Sequence, residues 1–248
     1  MSRAEPLWIA GYPVQATEPT ALTRRLVAAL ERQQRLTLLF ANANFAVQCA
    51  GLRARLRERR TILVNDGVGM DLAAWLVHGR RFPHNLNGTD FVPAVLGAAR
   101  RPTFLLGGRP GVAARAAGVL DGAGVPVAGH CDGYTGMADN ARLVADIEAT
   151  AAEVVLVGLG NPLQEEWILA NRGNLSAPLV AGVGALLDFL AGEVPRAPPM
   201  VRRLRLEWLY RLAQEPGRLA RRYTVDFVRF LALCATHDGR GADASGPP

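Results

Sequence analysis

The sequence contains no lysine, and all 28 of its basic residues are arginine. This absence excludes P-loop nucleotidases, which place a lysine on the nucleotide phosphates, and enzymes that bind pyridoxal phosphate as a Schiff base. The three cysteines, Cys49, Cys131 and Cys234, form no CxxC pair, and so sparse a set is typical of a reducing cytoplasm. The four histidines lack metal-ligand spacing, so we expect no structural metal.

Long apolar runs are also absent. No uninterrupted stretch approaches the about 20 residues that span a membrane, and the N-terminus lacks the charged-then-apolar form of a signal peptide. We therefore expect a protein that is soluble or lies on a membrane surface. Half of the residues are hydrophobic and a fifth are charged, which is sufficient for a sizeable core.

Positive charge is concentrated near the C-terminus. Nine arginines and three acidic residues lie between Arg196 and Arg229, so this segment carries the same net charge, +6, as the whole chain. Aromatic residues such as Trp208 and Tyr210 are interleaved with the arginines. The pattern fits basic amphipathic helices on an anionic membrane surface, and equally arginine-lined helices that pack on the core with their charges solvated. Nucleic-acid binding ranks lower, because no nucleic-acid module accompanies the basic segment.

Short apolar strands alternate with amphipathic helices, which predicts an α/β fold with a largely parallel, doubly wound sheet. The predicted strands are 36–41, 61–65, 103–107, 125–128, 154–158 and 179–183, and the predicted helices are 20–34, 45–57, 70–77, 90–100, 112–122, 140–151 and 162–171. A proline-rich stretch at 195–199 then marks a change in composition. We therefore divide the chain into an α/β core over residues 1–195, an arginine-rich helical appendage over 196–237 and a disordered tail over 238–248.

The most informative stretch is LVGLGNPLQEEW, residues 156–167. A buried strand there ends in a glycine turn, and a helix begins directly after it. Helix N-termini present unpaired N–H groups, and in α/β folds they face the ligand crevice at the carboxyl ends of the strands. The same arrangement recurs at residues 64–69 and 105–111, so we expect a ligand site at this edge of the sheet.

Several polar residues follow these strands, and each has two interpretations. Asp66 is a general base for a hydroxyl, or a helix N-cap. Asn42 contacts a base or sugar hydroxyls, or satisfies turn backbone. Gln164 reaches a sugar or phosphate, or caps its own helix. Asp188 is a second crevice carboxylate, or a buried capping acid. Two further predictions are less specific: Gly107 opens a weak phosphate loop, and Met70 and Trp75 belong to the core.

Four blocks of sequence resemble the WecG/TagA/CpsF family, glycosyltransferase family 26. They are FANAN with Asn42; NDGVG from Asn65 followed by NLNGTDF from Asn85; VGLGNPLQEEW from Val157; and GVGALLDFLAGEVPRAP from Gly182 running into LEWLYRLAQEPGRLARRY from Leu206. The resemblance covers roughly residues 36–230, and the last two blocks together are highly specific. NLNGTDF is similar to the GumM-like exopolysaccharide branch of the family.

The resemblance implies a Rossmann-like glycosyltransferase of the GT-E type, inverting and metal-independent, without a cofactor. It implies transfer of a hexosyl or N-acetylhexosaminyl group from a UDP-sugar to a polyprenyl-diphosphate-linked glycan, at the cytoplasmic face of the plasma membrane. Asp66 then matches the catalytic base. The residues expected to bind donor or acceptor are Asn42, Asn65, Asn85, Gly107, Gln164, Asp188, Arg211, Arg218, Arg221 and Arg222. The expected partners are these two substrates and an anionic membrane, with no nucleic acid; a homo-oligomer stays open.

Two positions depart from the family pattern. Phe40 replaces a threonine, and Asn85 stands where the family has an arginine, which suggests a sugar other than N-acetylmannosamine. Two rival functions are kept. One is a non-catalytic nucleotide-sugar-binding protein of the same fold. The other is a nucleotide-dependent oxidoreductase on a Rossmann sheet, against which stand the missing GxGxxG motif and its acidic partner.

Overall fold

The computed structural model describes residues 5–204 and 206–237, without the side chains of residues 199, 202 and 218. The strands are β1 (Leu7–Ile9), β2 (Tyr12–Gln15), β3 (Leu36–Ala41), β4 (Thr61–Asn65), β5 (Thr103–Gly107), β6 (Val127–Cys131), β7 (Val154–Gly158) and β8 (Leu179–Gly182). In this part of the chain they form one eight-stranded sheet of order β1-β2-β4-β3-β8-β7-β5-β6. β1 pairs antiparallel with β2, and the other pairings are parallel.

Helices connect the strands. In the first half of the chain they are α1 (Pro19–Glu31), α2 (Ala43–Gln48), α3 (Arg53–Leu56), α4 (Val68–His78), α5 (Gly88–Ala99) and α6 (Val112–Gly122). They continue as α7 (Thr135–Ala138), α8 (Asn140–Ala149), α9 (Leu163–Asn171) and α10 (Leu186–Leu190). The C-terminal helices are α11 (Pro199–Arg203), α12 (Glu207–Gln214), α13 (Pro216–Tyr223) and α14 (Val225–Thr236). The predicted α/β class is thus confirmed, and a helical C-terminal segment follows the last strand.

The sheet separates two hydrophobic clusters. Successive strand side chains point to opposite faces, so Leu38 and Leu105 join one cluster while their neighbours Leu39 and Leu106 join the other. Strands that are buried on both faces read as continuous apolar runs, which is why their positions were predictable from the sequence.

The last helix belongs to the core. On α14, Phe230 is fully buried and packs in the same cluster as Phe45 and Leu39. Cys234, one turn further on, is buried with it, and burial raises the pKa of its thiol to about 11. One face of α14 therefore packs on the core, as one of the two interpretations of the arginine-rich segment expects.

Three predictions of secondary structure were wrong in part. The β1–β2 hairpin was missed. The strand predicted at 125–128 is shifted: β6 begins at Val127 and ends at Cys131. The helix predicted over 45–57 is broken, because α2 ends at Gln48 and a 3-10 turn at Ala50–Leu52 separates it from α3. The predicted disordered tail over 238–248 lies outside the described residues.

Candidate active site

A cavity of about 1600 Å³ opens at the carboxyl ends of the parallel strands. Each of five strands contributes a residue that follows its last position: Asn42 after β3, Asp66 after β4, Gly108 after β5, Leu159 after β7 and Val183 after β8. A ligand-sized crevice at this edge is the arrangement that doubly wound sheets favour. The volume exceeds the ~300–1,000 Å³ of most small-molecule pockets, so the cavity can hold more than one substrate.

Sheet register places Asn42 beside Asp66. The last residues of β3 and β4, Ala41 and Asn65, pair directly, and the Asp66 N–H donates to the Ala41 carbonyl at 2.8 Å. The Asn42 amide Nδ2 then donates to Asp66 Oδ2 at 3.3 Å. Its Oδ1 accepts from the Phe45 N–H at 3.0 Å and so caps α2. One amide thus serves the turn backbone and holds a carboxylate at the cavity wall.

Asp66 does not cap the helix that follows it. The N-cap of α4 is Gly67, whose φ of +94° is unfavourable for side-chain-bearing residues, and no side chain caps this helix. The N-cap interpretation of Asp66 is therefore wrong, and its carboxylate lines the cavity.

The surroundings of Asp66 determine how readily its carboxyl holds a proton. Burial is the largest influence and raises the pKa above the ordinary aspartate value. The Asn42 hydrogen bond and the charges of Arg222 and Arg211 oppose this rise, whereas the Glu207 carboxylate adds to it. The net direction is upward, towards the pH range in which a carboxylate is an effective general base.

The C-terminal helices form one wall of the cavity. Arg211 of α12 and Arg221 and Arg222 of α13 line it. The Arg211 guanidinium lies 5.4 Å from the centre of the Phe189 ring, which holds it against α10. Trp208 and Tyr223 join α12 to α13 through an edge-to-face contact at 5.6 Å. The remaining predicted arginine, Arg218, is on α13, but its side chain lies outside the described part of the structure.

Gln164 connects two strand ends. It is 3 % exposed, its Oε1 accepts from the Gly184 N–H at 3.0 Å, and its Nε2 donates to Glu165 Oε1 at 2.7 Å. It does not cap α9, whose N-cap position is Pro162 and lacks a side-chain hydrogen bond. Its side chain touches the cavity wall, yet its amide oxygen holds the loop after β8 and its amide nitrogen binds the neighbouring Glu165 of α9.

Behind Gln164 lies a buried carboxyl group. Glu165 is fully buried and accepts a second hydrogen bond from Asn161 Nδ2 at 2.8 Å, while Cys49 Sγ lies 3.5 Å from its other oxygen. Burial raises the pKa of Glu165, and the bonds from Asn161 and Gln164 counteract part of that rise. Asn161 in turn accepts from Asn44 at 3.2 Å, so the network reaches the first turn of α2.

Three other predicted residues have different places. Asn85 and Asp188 line the cavity, and Asn85 Oδ1 accepts from the Gly67 N–H at 2.7 Å, which fixes the turn that carries Asp66. Asn65 does not line the cavity. It is the last residue of β4 and is 1 % exposed, because strand pleating turns it to the opposite side from its neighbours.

Gly107 is also absent from the cavity wall. Its φ is +137°, and a Cβ there would lie 2.4 Å from the Gly158 carbonyl oxygen on the adjacent strand. The glycine is therefore required for close packing of β5 against β7, and Gly108 and Arg109, which follow it, line the cavity instead.

The N-termini of several helices also face the cavity. Residues of the first turns of α4, α5 and α9, namely Val68, Gly88 and Leu163, line it. Their unpaired N–H groups and positive dipole ends favour an anionic ligand. Together with the arginines of α12 and α13, they give the cavity two sources of positive potential.

Sequence reasoning missed two acidic residues of the site. Glu207 lines the cavity and accepts from Asn87 Nδ2 at 3.5 Å, and Asp226 lines it from α14. Glu207 and Arg211 are four residues apart on a helix and therefore share one face, so this spacing was a usable signal. Asp226 carried none, since its position depends on how α14 packs.

Two absences in the described part of the chain concern metals and membranes. In the described part of the chain, no group of three or more His, Cys, Asp or Glu side chains has the arrangement to hold a metal ion. None of the described helices combines the length and apolar character needed to cross a membrane.

A sequence model of the Glycosyl transferase WecG/TagA/CpsF family matches residues 7–242. The match begins at β1 and extends past the end of α14, so it includes the strand-end residues of the cavity and the arginines of its C-terminal wall. Glycosyltransferase activity in cell-surface polysaccharide synthesis, with a nucleotide-sugar donor and a lipid-linked acceptor, follows from the family. With nearly its whole length matched, the chain belongs to the WecG/TagA/CpsF family of glycosyltransferases.

Proposed function

We propose that the protein is an inverting transferase that moves a hexosyl or N-acetylhexosaminyl group from a UDP-sugar to a polyprenyl-diphosphate-linked saccharide, with Asp66 as the general base. The observation that supports this most is the cavity-lining Asp66 carboxylate, which has a raised pKa and lies within the electrostatic reach of Arg211 and Arg222. A base and a cluster of cations in one cavity are the two elements that such a transfer needs.

The chemical step is a single displacement at the sugar carbon C1. Asp66 removes the proton from an acceptor hydroxyl while the hydroxyl oxygen forms a bond to C1 on the face opposite the leaving group. The bond between C1 and the phosphate oxygen breaks, and UDP leaves with its electron pair. Because attack and departure are on opposite faces, the configuration at C1 is inverted.

Arginine suits the departing diphosphate. Its guanidinium stays charged at every relevant pH and grips phosphate oxygens with two parallel hydrogen bonds. We assign Arg211 and Arg222, which are close enough to influence the Asp66 carboxyl, to stabilising the charge that develops on UDP. Arg218 and Arg221, on the same helix as Arg222, are assigned to the same diphosphate region.

The sugar specificity depends on the two departures from the family pattern. Phe40 lines the cavity and packs against Phe91 at 6.4 Å between ring centres. Asn85, in place of an arginine, makes a short bond to the Gly67 turn. Both residues favour a sugar other than N-acetylmannosamine, consistent with the GumM-like exopolysaccharide branch. We place the reaction at the cytoplasmic face of the plasma membrane, without a metal or cofactor.

The test is a screen of UDP-sugars for UDP release in the presence of a short-chain polyprenyl-diphosphate acceptor. We expect one donor to be turned over, and Asp66→Asn to abolish most turnover while UDP binding, measured by calorimetry, persists. Asp121→Asn is the matched control, because Asp121 is exposed at the end of α6 and does not line the cavity. UDP binding without turnover of any donor would support a non-catalytic nucleotide-sugar-binding protein. Normal turnover by Asp66→Asn would refute the base.

A further inference from the structure

The helix α4 buries small apolar side chains and exposes large ones. Its small residues Ala73 and Ala74 are fully buried, whereas Trp75 and Leu76 beside them are 52 % and 57 % exposed. A helix of a water-soluble domain normally turns its large apolar side chains to the core. The expectation that Trp75 belongs to the core, made from helical spacing, is therefore wrong, although Met70 is buried as expected.

The exposed side chains form one stripe. Val68, Leu72, Trp75 and Leu76 are spaced at i, i+4, i+7 and i+8, which places them along one face of the helix. We call these four residues the α4 stripe. Single exposed apolar residues need no explanation, but a contiguous apolar face marks an interaction surface.

The C-terminal helix that packs against α4 also carries exposed apolar side chains. α14 packs against α4, since a methyl group at Gly69 would lie 3.1 Å from the Phe227 ring. On α14, Val225 and Val228 are also exposed, at 46 % and 66 %. The patch therefore combines a helix of the predicted α/β core with one of the arginine-rich segment.

The exposed charges on α4 and α14, and directly after α4, have one sign. α4 and α14, both wholly described, contain two carboxylates, Asp71 and Asp226, and both are buried. Exposed arginines adjoin the stripe: Arg80 and Arg81 follow α4, and Arg229 lies on α14. An apolar face that contains tryptophan and is bordered by arginines is complementary to an anionic lipid surface.

The stripe also borders the active-site cavity, because two of its residues, Val68 and Leu72, line the cavity. We infer that the α4 stripe, with Val225 and Val228, inserts into the acyl-chain boundary of an anionic membrane and sets the cavity mouth on the lipid surface. The inference rests on the proposed function only for the identity of the lipid-linked substrate, whose chain remains in the bilayer while its saccharide enters the cavity.

Two other occupants are disfavoured by the chain itself. Residues 238–248, outside the described part, include no leucine, isoleucine, valine, methionine or aromatic residue that would cover an apolar stripe. A second copy, related by two-fold symmetry, would bring the bordering arginines of both copies together and so place like charges side by side.

The test uses full-length protein and vesicles of phosphatidylglycerol and phosphatidylethanolamine, with binding measured by flotation. We expect Trp75→Glu and Leu76→Glu each to weaken binding by roughly tenfold or more, since an apolar side chain that enters the bilayer is replaced by a charged one. Val119→Glu is the matched control, because Val119 is equally exposed, at 49 %, but lies on α6. Unchanged binding by the α4 variants would overturn the proposal.

A second measurement reports whether Trp75 itself enters the acyl-chain region, with each variant compared at saturating lipid. Bromine-labelled acyl chains should quench the fluorescence of Trp75, and Trp75→Phe should remove most of that quenching, whereas Trp208→Phe should not. Light scattering without lipid tests for a dimer: dissociation of a dimer by Leu76→Glu would overturn the membrane assignment. Turnover of a water-soluble acceptor by Leu76→Glu should match the wild type, since Leu76 does not line the cavity. A protein that binds vesicles but turns over no donor would refute the proposed function alone.

Discussion

Asn42 donates from Nδ2 to Asp66 Oδ2 at 3.3 Å, and its other amide atom caps the helix that begins beside it. The two residues come from adjacent strands, so the position of the proposed base depends on the register of β3 against β4. The hydrogen bond is also one of the influences that lower the pKa of Asp66 against the larger effect of burial.

Replacing Asn42 by aspartate separates its two roles. Asn42→Asp keeps an oxygen that can cap α2 but loses the N–H donor and places a second negative charge beside Asp66. We expect the pKa of Asp66 to rise further. Because the base must be deprotonated, the acidic limb of the kcat/KM profile should then move to higher pH. The measurement is the pH–rate profile, with wild type as reference.

Asn42→Ala is the companion variant. It removes the hydrogen bond and the cap together, so the free energy of unfolding should fall by about 1 kcal/mol, while the acidic limb moves less than in Asn42→Asp because no charge is added. If neither variant moved the acidic limb, Asp66 would not be the group that the profile reports.

Arg222 and Arg211 should contribute mainly to the chemical step. Replacing either by glutamine removes charge stabilisation on the departing diphosphate, and we expect kcat to fall by about 100-fold. Lysine at these positions should restore less than full activity, since it provides a single point charge. Arg142→Gln, at an exposed site on α8, is the control. A raised KM for the acceptor with an unchanged kcat would assign these arginines to the acceptor diphosphate instead.

The buried carboxyl of Glu165 should make stability depend on pH. Burial raises its folded-state pKa above the roughly 4.3 of the unfolded chain, so the folded protein binds this proton more tightly. The stabilisation is complete below the unfolded pKa and is lost as pH rises through the folded pKa. Glu165→Gln should therefore flatten the dependence of Tm on pH. Glu166→Gln, on the same helix but exposed, should leave the slope of the wild type.

Turnover should persist in a chelator. The proposal assigns the leaving group to guanidinium groups, so excess EDTA should change kcat by less than twofold. A loss of activity that Mg²⁺ or Mn²⁺ restores would contradict that assignment. The candidate ligands of such a metal ion would be the carboxylates of the cavity, Asp66, Asp188, Glu207 and Asp226.

Much of the fold could be predicted because buried parallel strands appear in the sequence as continuous apolar runs. β3, β4, β5 and β7 have the bounds that their apolar runs predict, since burial on both faces requires them. The β1–β2 hairpin carries no such run. It is short, alternates buried and half-buried residues, and turns through Ala10 and Gly11 at positive φ, so local propensity does not reveal it.

The location of the site could be predicted from the sequence, but the contacts of several of its residues could not. Asn42 and Asp66 line the cavity because the residue after a parallel strand faces the crevice. Asn85 and Asp188 also line it, from the segment before α5 and from α10. Asn65, which was predicted to bind donor or acceptor, is buried and does not line the cavity, because successive side chains of a strand point in opposite directions. The roles of Gln164 and Glu165 could not be predicted, because they depend on Gly184 and Cys49, which lie 20 and 116 residues away in the sequence.

Burial of Phe230 within the central apolar cluster has a consequence for biosynthesis. A nascent chain cannot complete its interior until α14 has emerged from the ribosome, and by then the helices bearing Arg211 and Arg222 have already been made. A product that terminates between α13 and α14 would therefore carry the cationic wall of the cavity without a finished interior.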